Sequence, residues 1–199
     1  MVKTNFFLLV LCALLLMFKI TSIYLTNFDL FGDEAQYWLW SKNLDFGYFS
    51  KPPFLSWVIF LTCWVFGNSI FVLKMIPVFF YCVSSYIIFL ISKKLFKKKD
   101  LAFFIAITFY LMPAVSLSSF LLSTDVLLIF LWSASLLQLL NLKDNPNIYN
   151  FIILGILLGL AFLTKYAAVY FLISLIFSFF EKELRRVYLS NVFGLFCCA

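Results

Sequence analysis

The chain has 199 residues, of which 65% are apolar, 22% are aromatic and only 12% are charged. A soluble domain averages about 45–50% apolar and about 25% charged residues, so this chain has too little polar surface to cover a water-exposed globule. The composition therefore excludes a soluble enzyme and indicates an integral membrane protein, although the net charge of +6 first suggests a nucleic-acid partner.

Histidine is absent from the sequence. This excludes Ser-His-Asp and Cys-His catalytic systems and any His-ligated metal site. The five cysteines lie in apolar runs without a C-x-x-C spacing, and cysteines of this kind are usually small buried hydrophobes. Acid–base chemistry must therefore come from carboxylates, lysines or tyrosines.

The first predicted element is a membrane-spanning helix at about 5–26. A helix needs about 20 mostly apolar residues to cross the bilayer. The segment lacks the small-residue cleavage site of a secretory signal, so we interpret it as a permanent span. Lys19 lies near its far end, where we expect the ammonium group to reach the lipid headgroups.

An outer loop is predicted next, at about 27–68. Its charged residues are interleaved with Trp and Tyr, a mixture typical of the membrane–water interface, and we predict amphipathic interfacial helices there. Residues 54–66 supply only about 13 apolar positions, too few to cross the bilayer. We interpret them as an interfacial or re-entrant helix.

Further spanning helices are predicted at about 70–92, 101–120, 124–141, 148–163 and 165–181, and an incomplete last helix begins at about 187. With a cytoplasmic N-terminus, every basic cluster lies on the cytoplasmic side, as the positive-inside rule requires. The pattern predicts an all-α, multi-pass membrane bundle that does not bind nucleic acid and whose basic loops touch anionic membrane lipids. These clusters are Lys93, Lys94, Lys97, Lys98, Lys99, Lys143, Lys182, Arg185 and Arg186.

The same topology places a small set of charges at the outer face: Asp33, Glu34, Lys51, Asp125 and Lys165. Charges at membrane depth are costly, so each needs a reason. The three carboxylates also suit the first turns of helices, and that capping role stays open. The two lysines oppose the charge bias, which favours a phosphate-binding role.

Two carboxylate clusters and two ammonium groups at one interface suit a lipid phosphate and a hydroxyl that must lose its proton. A carboxylate could act as the base, and a divalent cation could bridge carboxylate and phosphate oxygens. We therefore expect the five charges to converge in one site, although the sequence alone does not show their proximity.

Four sequence blocks carry a family resemblance. They are residues 33–41 (DEAQYWLWS), 47–53 (GYFSKPP), 122–128 (LSTDVLL) and 159–166 (GLAFLTKY). In this order, each at the predicted outer face, they resemble the GT-C membrane glycosyltransferases. The similar branch contains the protein mannosyltransferases, the aminoarabinose transferases and related lipopolysaccharide sugar transferases.

The resemblance implies that residues 1–199 are the N-terminal part of a GT-C multi-helix transmembrane domain. It implies an inverting transfer of a sugar from a polyprenyl-phosphate donor to a lipid, glycan or protein acceptor, at the periplasmic face of a bacterial inner membrane. Its implied catalytic carboxylates, which could also hold a divalent metal ion, are Asp33, Glu34 and Asp125. Its implied phosphate ligands are Lys51 and Lys165, with Tyr37 and Tyr166 as supporting residues.

Three alternatives stay open. Ser50-Lys51 before the prolines agrees with the aminoarabinose branch, whereas relatives with a short loop often have Asp-His, so the donor sugar is not fixed. Family members are longer, so one alternative is that this chain is a fragment or a non-catalytic subunit. A transporter or flippase for a lipid-linked substrate also explains membrane charges and short helices, but it usually has an internal repeat, and we find none.

Overall fold

The structure, a computed structural model, describes residues 2–25, 29–178, 180 and 185. This part of the chain is helical and contains no strand, which confirms the predicted all-helical class. The helices are α1 (Val2–Leu25), α2 (Gly32–Trp40), α3 (Phe54–Phe66), α4 (Ile70–Phe96), α5 (Lys99–Leu111), α6 (Pro113–Ser118), α7 (Thr124–Asp144), α8 (Ile148–Phe162) and α9 (Val169–Ser178), with a 3-10 turn at Tyr166–Ala168 before α9.

Two helices of the described residues, α4 and α7, are long and apolar enough to cross a membrane by length and composition. The helices α3, α8 and α9 are apolar but shorter. The predicted spans that include α1, α5, α8 and α9 stay predictions. The end of the span at 165–181, the incomplete helix from 187, and Lys182 and Arg186 lie outside the described residues.

The continuous helix predicted over 101–120 is interrupted at Met112. Its backbone has φ −51° and ψ 132° and separates α5 from α6. Proline disfavours the α conformation in the residue before it, and Pro113 is itself well placed at the first position of a new helix. The local sequence therefore accounts for the break.

The helices α4 and α7 run in the same direction. Near their N-termini, Lys74 Nζ lies 3.4 Å from the carbonyl oxygen of Phe120, just before α7. Near their C-termini, Lys94 Nζ and Asp144 Oδ2 are 2.6 Å apart. The acidic outer residues and the Lys-rich segment 93–99 therefore lie at opposite ends of α4, as the predicted topology requires.

A buried apolar cluster joins the outer loop to the long helices. It connects α2, α3, the start of α4 and the start of α7, and its members are Tyr37, Leu55, Ile59, Leu73, Ile76, Leu122 and Leu127. A second cluster connects α7 with the end of α8 and the 3-10 turn through Leu128, Leu131, Ala161 and Ala168. Through these two clusters, α2 packs near the start of α7, and the start of α7 packs against the end of α8.

Lys19 does not reach the headgroups as we expected. Its side chain is buried against the protein, and its Nζ donates a hydrogen bond of 2.7 Å to Ser119 Oγ. The same ammonium lies 4.2 Å from the centre of the Tyr110 ring, a cation–π distance. The expectation was wrong because α1 packs against α4 and α5, which turn this lysine inward.

We expect the two ends of α4 to be labelled from opposite sides of the membrane. In a chain whose native cysteines are replaced by serine, Phe49→Cys should react with a membrane-impermeant maleimide in intact cells. Lys97→Cys should react only after permeabilisation, because the Lys-rich segment stays in the cytoplasm. Both positions are exposed, so accessibility within the protein does not limit labelling. Labelling of both from the same side would contradict the topology.

Candidate functional site

Glu34 organises the outer end of the bundle. It lies in the first turn of α2, where its Oε2 accepts a hydrogen bond of 2.8 Å from the backbone N–H of Phe31. A glutamate at this position commonly caps its helix by reaching back in this way. Its Oε1 accepts a 2.7 Å bond from the N–H of Leu122, in the segment before α7. One side chain thus links α2 to a segment 88 residues away.

Lys74 completes this network. Its Nζ lies 2.6 Å from Glu34 Oε2, and the lysine and glutamate side chains are only 8% and 3% exposed. Hydrogen bonds between ionised groups are among the strongest in proteins, and a buried charge is tolerated only when it is paired. The pair fixes α2 against α4 and leaves little of Glu34 accessible to a substrate.

Asp33 and Tyr37 lie one turn apart on α2 and share a face. The Asp33 side chain is exposed and has no hydrogen-bond or ion-pair partner within the described residues. Tyr37 is buried, and its hydroxyl pairs with the Thr124 side chain at the start of α7. This contact brings the face of α2 that carries Asp33 to the start of the α7 helix.

Burial, followed by the negative charges of Asp33 and Asp125, raises the pKa of Tyr37 above its ordinary value, while the hydrogen bond with Thr124 acts in the opposite direction. A phenol is neutral at physiological pH even at its ordinary pKa of about 10, and the upward shift strengthens that preference. Tyr37 can therefore donate or accept a hydrogen bond but is a poor base.

Asp125 and Lys165 form the second ion pair of the site. Asp125 Oδ1 lies 2.6 Å from Lys165 Nζ, and the lysine and aspartate side chains are 37% and 55% exposed. Asp125 lies in the first turn of α7, and Lys165 has an extended backbone between α8 and the 3-10 turn. Because the pair is solvated, each group stays accessible to a ligand.

Lys51 reaches the same region through the backbone. Pro52 and Pro53 are buried, and the N–H of Phe54 donates a 2.9 Å bond to the carbonyl oxygen of Leu163. This bond holds the segment after Lys51 against the segment before Lys165. The Lys51 side chain is half-buried and has no ion-pair partner in the described part of the chain.

Aromatic contacts hold the loop that precedes Lys51. The rings of Trp40 and Tyr48 stack with centres 4.7 Å apart, and the Tyr48 hydroxyl donates a 2.9 Å bond to the carbonyl oxygen of Trp40. Trp57 Nε1 donates a 3.0 Å bond to the carbonyl oxygen of Asp45. The loop therefore has a defined conformation between α2 and α3.

The structure joins the four charged blocks through one series of contacts. Glu34 bonds to Leu122, Asp125 to Lys165, and the carbonyl of Leu163 to Phe54, and Thr124 influences the pKa of Tyr37. Tyr166 follows Lys165 with a side chain that is 72% exposed. The four sequence blocks therefore meet at one end of the bundle in the described residues, while a single site formed by all five charges stays a prediction.

Lys74 is the site residue that sequence reasoning missed. It lies in the first turns of α4, inside a stretch that we interpreted only as a span. A lysine within an apolar run is itself a signal, because an uncompensated charge there is costly. That signal could have identified Lys74 as the partner of an outer carboxylate.

Comparison with known proteins gives one family match and two similar curated relatives. The sequence profile of the family described as dolichyl-phosphate-mannose-protein mannosyltransferase matches residues 50–199. A lipid A galacturonosyltransferase of Rhizobium johnstonii is 35% identical over 157 residues, which cover 77% of this chain and 33% of the relative.

The second relative is an undecaprenyl phosphate-alpha-4-amino-4-deoxy-L-arabinose arabinosyl transferase of Wigglesworthia glossinidia brevipalpis. It is 32% identical over 130 residues, which cover 61% of this chain and 22% of the relative. The chain thus spans about a third or less of the length of these relatives. No solved structure matches significantly.

We expect Lys74→Met to destabilise the protein by about 3–5 kcal/mol, because it leaves the buried Glu34 carboxylate without its counter-ion. Glu34→Gln combined with Lys74→Met should recover part of this loss, since no buried charge then remains. The measurement is denaturant unfolding in detergent. Lys94→Met, which removes an exposed ion pair, is the matched control, and an equal loss in both single variants would contradict the interpretation.

Proposed function

Because the chain belongs to the dolichyl-phosphate-mannose-protein mannosyltransferase family, we propose that it supplies the donor-binding and catalytic end of a membrane glycosyltransferase. The reaction is the transfer of a sugar from a polyprenyl-phosphate donor to an acceptor at the outer face of a bacterial inner membrane. The observation that supports it best is the solvated Asp125–Lys165 pair beside the face of α2 that carries Asp33.

The donor phosphate binds Lys165 and Lys51 in this proposal. Lys165 is partly exposed and its carboxylate partner is solvated, so exchange of Asp125 for a phosphate oxygen costs little. Lys51 has a half-buried side chain without an ion-pair partner in the described residues, and the Phe54–Leu163 bond holds its segment close to that of Lys165. The two ammonium groups neutralise the charge that grows on the departing phosphate.

Asp33 is the proposed base. Glu34 is buried and accepts three hydrogen bonds from Phe31, Leu122 and Lys74, so it is not free to take a proton from an acceptor. Tyr37 is a neutral phenol at physiological pH, and the upward shift of its pKa reinforces this. Asp33 is exposed and unpaired in the described part of the chain, and Asp125 orients the acceptor beside it.

The proposed step forms one bond and breaks one bond. The acceptor hydroxyl attacks the anomeric carbon in line with the departing oxygen, its proton passes to Asp33, and the configuration of the anomeric carbon is inverted. The bond from that carbon to the phosphate oxygen breaks, and the polyprenyl phosphate leaves as a stabilised anion. A phosphate leaving group needs no general acid, so a site without histidine suffices.

A divalent metal ion finds a poor donor set in the described residues. They contain no group of three or more His, Cys, Asp or Glu side chains placed to hold a metal. Glu34 is buried and its carboxylate already accepts three hydrogen bonds, so Asp33 and Asp125 are the accessible carboxylates of the site in the described residues. The proposal therefore includes no step through a metal.

The relatives support a lipid-linked donor and a lipid acceptor. One is named for an undecaprenyl phosphate sugar and the other for lipid A. Both names describe transferases, which supports sugar transfer over the alternative of a transporter or flippase. By this analogy the acceptor is a glycolipid of the cell envelope, reached from the periplasmic side.

We expect Asp33→Asn to lower kcat by about 10²–10⁴-fold, the usual contribution of a general base. Lys51→Ala and Lys165→Ala should each lower kcat by about 10²–10³-fold, as loss of a transition-state charge contact does. The measurement is transfer of a radiolabelled sugar from a polyprenyl-phosphate donor in membranes that contain the chain.

Asp144→Asn and Lys97→Ala are the matched controls, because they remove the same charges at the opposite end of the bundle. Transfer should continue in both. Undiminished transfer in Asp33→Asn and Lys165→Ala would refute the assignment of these residues, and absence of transfer by the unaltered chain would refute the proposed activity.

A further inference from the structure

A groove of about 380 Å³ lies beside α2, outside the charged site. This volume is at the small end of the range of ligand pockets, about 300–1,000 Å³. It is formed by the chain before α2, one face of α2 and the start of α4. Its walls are Asp29, Leu30, Ala35, Trp38, Asn68, Ser69, Ile70 and Leu73.

The groove lies across α2 from the proposed catalytic face. Ala35 and Trp38 are one turn apart and share a face of α2. At 3.6 residues per turn, this face lies nearly opposite the face that carries Asp33 and Tyr37. Ser69, which caps the N-terminus of α4, keeps the groove at the same end of the bundle as Asp33. A ligand in the groove is thus about one helix diameter, about 10–12 Å, from the reacting groups.

Among the described residues, three polar side chains at the groove retain hydrogen-bonding capacity. Asp29 Oδ1 accepts a 2.9 Å bond from Leu30 N–H, which leaves its second oxygen as an acceptor. Asn68 Oδ1 accepts a 2.8 Å bond from Trp38 Nε1, which leaves the amide nitrogen as a donor. Ser69 Oγ accepts a 3.2 Å bond from Val72 N–H, which leaves its hydroxyl proton.

Trp38 supplies the apolar wall. Its Nε1 is fixed by Asn68, and Lys42 Nζ lies 4.7 Å from the ring centre, so the indole has a defined orientation. A rigid aromatic ring beside a carboxylate, an amide and a hydroxyl complements a pyranose. The ring matches the apolar C–H face of a sugar, the carboxylate accepts from its hydroxyls, and the amide and hydroxyl donate to its oxygens.

We propose that this groove is a carbohydrate subsite that binds a glycosyl group of the acceptor remote from the attacked hydroxyl. The inference deepens the proposed function and rests on it for the identity of the acceptor. The subsite orients the acceptor across α2, so that one sugar is held by Trp38 and Asp29 while a neighbouring hydroxyl reaches Asp33.

The test measures sugar binding without a donor. The chain is reconstituted in phosphatidylcholine nanodiscs and titrated with methyl gluco-, galacto- and mannopyranosides by saturation-transfer NMR. A second arm carries a hexosyl diacylglycerol in the nanodisc, which separates recognition of a free sugar from recognition of a glycolipid headgroup. We expect binding of at least one hexose in either arm.

Two variants locate the binding. Ala35→Phe fills the groove and should abolish binding. Asp29→Asn should weaken it by about tenfold or more, because it removes hydrogen bonds to a charged group, while the asparagine oxygen can still accept from Leu30 N–H. Asp45→Asn is the matched control, since Asp45 is also exposed and accepts a 2.7 Å bond from the next residue, Phe46.

The outcomes separate this inference from the proposed function. Asp33→Asn should retain sugar binding while it loses transfer. Absence of hexose binding by the unaltered chain in both arms, or equal binding by the Ala35→Phe variant, overturns the subsite even if transfer is observed. Retained binding with no transfer by the unaltered chain refutes the proposed function and leaves the subsite supported.

Discussion

The buried ion pair between Glu34 and Lys74 determines how the outer end of this protein is built. Two charges withdrawn from water must satisfy each other and their remaining hydrogen-bonding groups, since an unpaired buried charge costs several kcal/mol. Glu34 meets this requirement by binding Lys74, Phe31 and Leu122 at once. The start of α2 is therefore fixed to α4 and to the segment before α7.

Fixing Glu34 also determines the direction of its neighbours. Successive residues of a helix point about 100° apart. With Glu34 turned into the protein, Asp33 and Tyr37 face the start of α7, while Ala35 and Trp38 face the start of α4. Two adjacent carboxylates that look equivalent in the sequence thereby have different surroundings, one closed by protein donors and the other open to a ligand.

The all-helical class could be predicted from composition and apolar runs, and the separation of acidic and basic ends from the distribution of charge along the chain. The charged blocks were grouped by the family resemblance. The break at Met112 could also have been predicted from Pro113. Lys74 could have been recognised as a lysine that needs a carboxylate partner, but its specific pairing with Glu34 could not, nor could that of Lys19 with Ser119. The residues of these two pairs are 40 and 100 positions apart in the sequence. Only the packing of the helices selects those partners.

The two ion pairs of the outer end have the same chemistry but different consequences. The pair of Glu34 and Lys74 is shielded from water, so breaking it would leave two buried charges unpaired and destabilise the fold. It therefore suits a structural role. The pair of Asp125 and Lys165 is solvated, so water and salt weaken it, and either group can change partner at little cost. The phosphate site that we propose needs an ion pair of this second kind. Because the closed pair holds α2 in place, the open pair can exchange its partner without loss of the surrounding structure.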